Sequence, residues 1–234
     1  MKIFQKGFNF SQDGPGNRLV YHLAGCNMHC LWCANPEGMT AKETHKTYTP
    51  KELVVEAISC RPFFFDGGGV TFTGGEATLY AEELIETLKR LQAEGIHTAI
   101  ETNGTSPRLM EILPFVDYLI MDFKHVNDTV LLAYTGMDGK ALRKNYEAIC
   151  QDNRQCHIRI PLIQEFNGTA AKEIAAYLAK HATNHLVFEF LRYHEYGKEK
   201  WQEEYKITNG FVTDETVKAF QKEFKKHNLT YITT

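Results

Sequence analysis

About six times along the chain a short, β-rich apolar run gives way to an amphipathic stretch. That alternation constrains the fold more than any other feature. Strands separated by helix-length segments pair parallel, and the helices between them cover the sheet. Strands are expected over 18–23, 70–73, 98–102, 118–123, 157–162 and 186–191, with a closing strand at Tyr231-Ile232. Helices are expected over 50–59, 82–94, 107–113, 140–150, 170–181 and 214–227. The first of these has a full start signal: Thr49 as cap, Pro50 at the first position and Glu52 three residues after the cap. About six β/α units are too few for the eight of a closed barrel. The pattern fits an α/β chain built as a partial barrel, or as a doubly wound open sheet. At 234 residues with 43% hydrophobic content, one domain over 1–234 can fill its own core.

Composition excludes several classes. The formal net charge is −3, and no Lys/Arg run marks a nucleic-acid footprint. No apolar stretch reaches the roughly 18 residues of a membrane span. Met1–Lys6 lacks the apolar segment of a signal peptide, so the expected location is the cytoplasm; the expected state is a monomer. There the six cysteines are thiols or metal ligands, not a disulfide framework.

Three of those cysteines, Cys26, Cys30 and Cys33, lie in one C-x3-C-x2-C loop directly after the first strand. Thiolates are soft ligands that suit iron–sulfur clusters, zinc and copper(I). Structural zinc is closed by four protein ligands, so this loop would need a distant fourth, such as His29 or His45. Three ligands alone leave a corner open, as a catalytic cluster requires. Cys60, Cys150 and Cys156 have no partner motif and read as small buried hydrophobes. Phe63-Phe64-Phe65 reads as core.

Ligands collect at the C-terminal ends of parallel strands in either architecture. The cysteine loop, Gly74-Gly75-Glu76, Asn103-Gly104, Lys124-His125 and Tyr193-His194 all follow such ends. Glu76 can carry charge to a ligand or cap the next helix start. Side-chain alternation puts Glu101 and Asn103 on one strand face, and Asp122 with Lys124 on one face of another. Two acids at neighbouring strand ends can share a cation; equally, Lys124 can pair with Asp122 or Glu101. Arg159 within its strand can bind a carboxylate or bridge to Glu189. A solvated loop histidine is the ordinary reading of His194. Asp13-Gly14-Pro15-Gly16, just before the first strand, has turn composition and can also present backbone groups to a bound peptide.

Taken together, Asp13–Gly16, the three-cysteine loop, Gly69–Glu76, Thr102-Asn103-Gly104, Asp122-Phe123-Lys124 and Tyr193-His194-x-x-Gly197-x-x-Lys200-Trp201 resemble the radical S-adenosylmethionine (SAM) superfamily. Within it they are most similar to the activating enzymes of glycyl radical enzymes, over nearly the whole chain. The resemblance implies a partial (β/α)6 TIM-like barrel. It implies one [4Fe–4S] cluster on Cys26, Cys30 and Cys33, with SAM on the open iron. The SAM site would take Trp32, Cys33, Ala34, Gly74, Gly75, Glu76, Asn103, Asp122, Phe123, Lys124, Arg159 and His194. A monovalent cation would sit on Glu101, Thr102, Met121 and Asp122, and Asp13 with Gly14 would seat the partner's glycine loop. The reaction implied is reductive cleavage of SAM and hydrogen abstraction from a backbone glycine of the partner. A pyruvate formate-lyase-like partner is favoured by the short form of the chain.

Two positions depart from the pattern. Ala34 stands where His is usual, and Glu101 where Asp is usual at the cation position. No ferredoxin-like insert fits between Cys33 and Gly74, so one cluster is expected, with flavodoxin or ferredoxin as electron donor. Competing readings are a radical SAM enzyme acting on a small molecule, such as a 7-carboxy-7-deazaguanine synthase, and a non-catalytic metal-binding or electron-transfer protein.

Overall fold

The alternation is present in the structure, a computed structural model that describes residues 1–42, 44–152 and 154–233. In chain order the elements are β1 (Lys2–Phe10), β2 (Asn17–Leu23), β3 (Lys46–Thr47), α1 (Pro50–Ser59), β4 (Gly69–Gly74), α2 (Ala81–Ala93), β5 (His97–Thr102) and α3 (Leu109–Ile112). There follow β6 (Tyr118–Asp122), α4 (Asp128–Thr135), α5 (Lys140–Cys150), β7 (Cys156–Leu162), α6 (Gln164–Asn167), α7 (Ala171–Ala179), β8 (Leu186–Arg192), α8 (Asp214–Lys226) and β9 (Tyr231–Thr233). Contacts group the chain into two units: Met1–Asn27 with Asn35–Ile120, and Met28–Ala34 with Met121–Thr234.

In the first unit β2, β4 and β5 are parallel, with Arg18 opposite Gly69 and Gly69 opposite His97. Both faces are covered, so β4 is buried along nearly its whole length, as a parallel strand between helices should be. Tyr21 stacks on Phe72 at 5.5 Å between ring centres. The start of α1 is as read: Thr49 Oγ1 accepts from the Glu52 N–H, and Glu52 Oε2 accepts from the Thr49 N–H at 2.7 Å. The sequence reading missed β1, which pairs antiparallel with β2 from Ile3–Leu23 to Phe10–Asn17. Its outward Phe8 and Phe10 are 47% and 52% exposed, so it lacks the continuous apolar run of the buried strands.

This strand also corrects the reading of Phe63-Phe64-Phe65 as core. Phe63 is 56% and Phe65 52% exposed. They meet the outer face of β1 instead, with Phe63 5.5 Å from Phe8 and Phe65 5.9 Å from Phe10. The helix expected over 107–113 is a single α-turn, α3, continued by a 3₁₀ turn at Leu113–Phe115.

In the second unit β7 and β8 are parallel in a register that sets Arg159 opposite Glu189, and β9 continues the sheet beside β8. The core includes Phe188, Phe190, Phe220 and Phe224, with Phe190 edge-on to Phe224 at 4.8 Å. α4 was also missed. Asn127 caps it through Oδ1 to the N–H groups of Thr129 and Val130.

Candidate functional site

The cysteine loop leaves β2 at Leu23, and its entry is fixed in the first unit by backbone bonds. Gly25 N–H donates to Gly38 O at 2.8 Å, Cys26 N–H to Met39 O at 3.0 Å, and Glu76 N–H to Gly25 O at 2.8 Å. Gly75 is required here by space. A Cβ on it would lie 2.2 Å from Gly25 O and 2.6 Å from Gly38 O. The Gly-Gly-Glu segment therefore packs against the loop that carries the first cysteine.

Glu76 follows and is 1% exposed. Its Oε1 accepts from the Thr78 N–H at 3.0 Å, Thr78 Oγ1 at 2.6 Å and Thr102 Oγ1 at 2.7 Å. Its Oε2 accepts from the Asn103 N–H at 2.7 Å. Of the two roles open from sequence, capping is the one observed: Glu76 starts the 3₁₀ turn Ala77–Tyr80 and ties it to the end of β5. These donors repay the cost of burying a carboxylate. Asn103 in turn extends Nδ2 to Cys26 Sγ at 3.8 Å and to Asn27 Oδ1 at 2.9 Å. Glu101 accepts from Thr73 Oγ1 at 3.0 Å.

In the second unit the distal part of the loop is held as firmly. His29 N–H donates to Thr135 O at 2.7 Å and Leu31 N–H to Tyr134 O at 3.1 Å, so the end of α4 braces it. The Trp32 ring sits 4.6 Å from Phe166. Trp201 Nε1 donates to Cys33 O at 3.1 Å and Lys200 Nζ to Ala34 O at 3.3 Å. Gly197 comes so close that a Cβ would lie 2.6 Å from both Cys33 O and Ala34 O. The Gly-x-x-Lys-Trp run is thus a clasp on the loop backbone. His194 is exposed and stacks on Tyr196 at 4.2 Å.

At the end of β6, Lys124 is 5% exposed and its Nζ meets Asp122 Oδ2 at 2.5 Å, so the pairing considered from sequence is present. Met121 and Phe123 point the other way and are fully buried; Phe123 stacks on Tyr177 at 5.8 Å. Arg159 bridges to Glu189 Oε2 through Nε at 2.9 Å. His125, next to Lys124, was missed as a buried group. Burial pushes its pKa down to about 4, and its Nδ1 accepts from the Asn127 N–H.

The Asp13–Gly16 turn lies at the start of β2 and the cysteine loop at its end. About 20 Å of strand separates them at the usual rise. The residue that builds the turn is Arg18, which sequence reasoning missed. It is fully buried and donates to Pro15 O at 3.0 Å, while Thr71 Oγ1 donates to Asp13 O at 2.7 Å. A charge inside an apolar strand was the only available signal.

Cys26, Cys30 and Cys33 are thiols outside any disulfide, half-buried, buried and half-buried in turn. Among the described residues no three His, Cys, Asp or Glu side chains form a preassembled metal cage. The fit to an iron–sulfur cluster rests on the donor set: three soft ligands on one loop braced along its backbone. Cys150 and Cys156 are 2% exposed, and burial raises their thiols to about 11 and about 12. Both are buried, as expected; Cys60 is only half-buried.

A family model described as "Radical SAM superfamily" matches residues 20–178. The pyruvate formate-lyase-activating enzyme of Clostridium pasteurianum is 32% identical over 228 residues, 94% of this chain and 92% of that protein. Among solved structures, a domain of a pyruvate-formate lyase-activating enzyme from Bacteroides vulgatus is 26% identical, with TM-score 0.59, covering 72% of this chain and 99% of that one. Streptococcus suis SuiB bound to precursor peptide SuiA is similar in fold, with TM-score 0.68 at 15% identity over 92% of this chain and 48% of that one.

Proposed function

This chain belongs to the radical SAM superfamily, and from that premise we propose that it activates a pyruvate formate-lyase-like glycyl radical enzyme. Its fold class is the partial α/β barrel of that superfamily, and it is an iron–sulfur, SAM-dependent enzyme. The observation that carries the choice of protein substrate is the 32% identity to a pyruvate formate-lyase-activating enzyme along 94% of this chain. When bound, the [4Fe–4S] cluster and SAM would supply a one-electron reductive cleavage that ends in removal of a hydrogen atom from a backbone glycine of the partner.

The chain's own residues bind, orient and exclude water. Cys26, Cys30 and Cys33 would hold the cluster and leave it one position open to SAM. Gly74 and Gly75 would lie along its methionyl part, and Trp32, Ala34, Asp122, Lys124 and His194 would line its remainder. Lys124 supports this reading as a buried cation whose anionic partner, Asp122, is itself a candidate ligand. Phe123 and Arg159 contribute by placing the end of β6, since Phe123 N–H donates to Arg159 O at 2.7 Å. Glu101, Thr102 and Asp122 would take a monovalent cation, with Met121 contributing its backbone carbonyl rather than its buried side chain. Asp13 and Gly14 receive the partner's glycine loop. The electron donor is flavodoxin or ferredoxin, and the protein works as a cytoplasmic monomer with one radical SAM domain over 1–234. Among the described residues no helix is long and apolar enough to cross a membrane.

Anaerobic reconstitution should load about four irons and four sulfides per chain. With SAM, reductant and a pyruvate formate-lyase, the loaded enzyme should then give a glycine-centred EPR doublet. A colourless zinc protein would sink the proposal entirely. SAM cleavage with no doublet would return it to a small-molecule substrate.

A further inference from the structure

We infer that Asn103 is a positioning residue for the iron–sulfur cluster: a closed ring with Asn27 and Thr105 aims its amide N–H at the Cys26 thiolate and so raises the cluster's reduction potential. The inference rests on the reading of Cys26 as a cluster ligand. It replaces direct contact between the Asn103 side chain and SAM.

The ring is complete. Asn103 Nδ2 donates to Asn27 Oδ1 at 2.9 Å, Asn27 Nδ2 donates to Thr105 Oγ1 at 2.8 Å, and Thr105 Oγ1 donates to Asn103 Oδ1 at 2.6 Å. Each of the three side chains gives one bond and takes one, an arrangement in which the bonds polarise one another. Asn103 is 6% exposed and Thr105 2%, so water competes little.

The orientation of the Asn103 amide follows from its neighbours. Thr105 N–H reaches Asn103 Oδ1 at 3.0 Å. A backbone N–H can only donate, so the atom facing it is the oxygen and the amide cannot be turned over. A carboxamide has two N–H donors and an oxygen with two lone pairs. Both lone pairs go to Thr105. One N–H goes to Asn27, and the other faces Cys26 Sγ at 3.8 Å. The backbone N–H of Asn103 is taken by Glu76 Oε2 at 2.7 Å. No donor remains for a ligand, and the one not spent on the ring points at sulfur.

Hydrogen bonds to cluster sulfurs are among the levers that set potential, and partners outside the ligand set orient and tune the ligands. Reduction adds negative charge to the cluster and its thiolates. An N–H aimed at Cys26 therefore stabilises the reduced form more than the oxidised one. Removing it should make the cluster harder to reduce.

The test is an EPR-monitored redox titration of reconstituted protein, without SAM or partner. Asn103→Leu deletes the donor at similar volume. Asn103→Asp keeps an oxygen for Thr105 but exchanges the N–H groups for an acceptor and adds a negative charge beside the cluster, so it is the stronger perturbation. In Asn103→Leu the ratio of reduced to oxidised cluster at a fixed potential should fall about tenfold, or about 59 mV for a one-electron couple, and in Asn103→Asp it should fall further. Thr105→Val opens the ring while Thr105 N–H still orients the amide, and it should produce a smaller fall. Wild-type potentials in both Asn103 variants, at full iron content, overturn the inference. So does loss of iron from both with unchanged folding, which would make the residue structural. If the wild-type protein itself takes up no cluster, the functional reading fails rather than this one.

Discussion

Arg18 and Glu76 are both charged, both out of water, and stand at opposite ends of the β2–β4–β5 strands of the first unit. They are mirror images in chemistry. Arg18 only donates, and it gathers four carbonyls, those of Pro15, Gly67, Val70 and His97, together with Thr71 Oγ1 and His97 Nδ1. Glu76 only accepts, and it gathers two backbone N–H groups and two threonine hydroxyls. The difference lies in where each network stops. The network around Arg18 ends largely on main chain and closes on itself. The one around Glu76 passes through Asn103 to a cysteine thiol. A buried charge satisfied by backbone stabilises a turn; one relayed through side chains can position a reactive group.

The largest effect should fall at the Glu76 end. Cys26→Ala is expected to abolish iron uptake in anaerobic reconstitution, while Cys60→Ala and Cys156→Ala load as wild type. Iron lost from either control would break the assignment of chemistry to that end alone. Next in size is Arg18→Met, which strands several buried carbonyls. It should cost about 3 kcal/mol or more in urea unfolding, since each orphaned group costs roughly 1–3 kcal/mol. A cost under about 1 kcal/mol would mean that water reaches the turn.

Glu76→Gln should be milder in stability, at roughly 1–2 kcal/mol, because an amide oxygen still accepts while the new NH2 opposes the Asn103 N–H. Yet iron uptake should suffer more than in Arg18→Met variants that remain folded. Equal iron loss in the two would erase the distinction between the ends. The smallest effect is a pH dependence at the Arg18 end. His97 Nδ1 lies 3.2 Å from the guanidinium and must accept, so burial, aided by the Arg18 charge, holds its pKa below the ordinary 6.5. The unfolded chain then binds the proton more readily. Stability is full above about pH 6.5 and falls as pH drops below it, by at most about 1.4 kcal/mol per unit. Urea midpoints at pH 7 and pH 5 should show this slope, and His97→Gln should flatten it.

Signals carried by neighbours in sequence were legible. The Thr49/Glu52 box, the parallel strands and the three-cysteine loop all appear where the residues placed them. The Arg159–Glu189 alternative was legible too, because strand register settles it. What escaped depends on distant partners. β1 is recognisable only once β2 pairs with it antiparallel. The Phe63–Phe65 run resembled core because composition does not reveal that its companions, Phe8 and Phe10, face outward. Arg18 looked like an ordinary strand residue. Asn27 and Thr105 stand 78 positions apart, and no local pattern joins them. Gly75 was read as a ligand-site glycine and Gly197 as part of a family motif; each is also required by the backbone of the cysteine loop pressed against it.

The clasp on that loop has an optical consequence. The chain has two tryptophans, Trp32 and Trp201. One lies inside the loop, and the other hydrogen-bonds to its Cys33 carbonyl. All indole emission therefore comes from the loop and its immediate brace. With excitation selective for tryptophan, a fluorimeter watching a 234-residue protein is in effect watching a few residues around the thiols. An iron–sulfur chromophore assembling there would dim that light, so the protein carries its own gauge of cofactor loading, with no label attached.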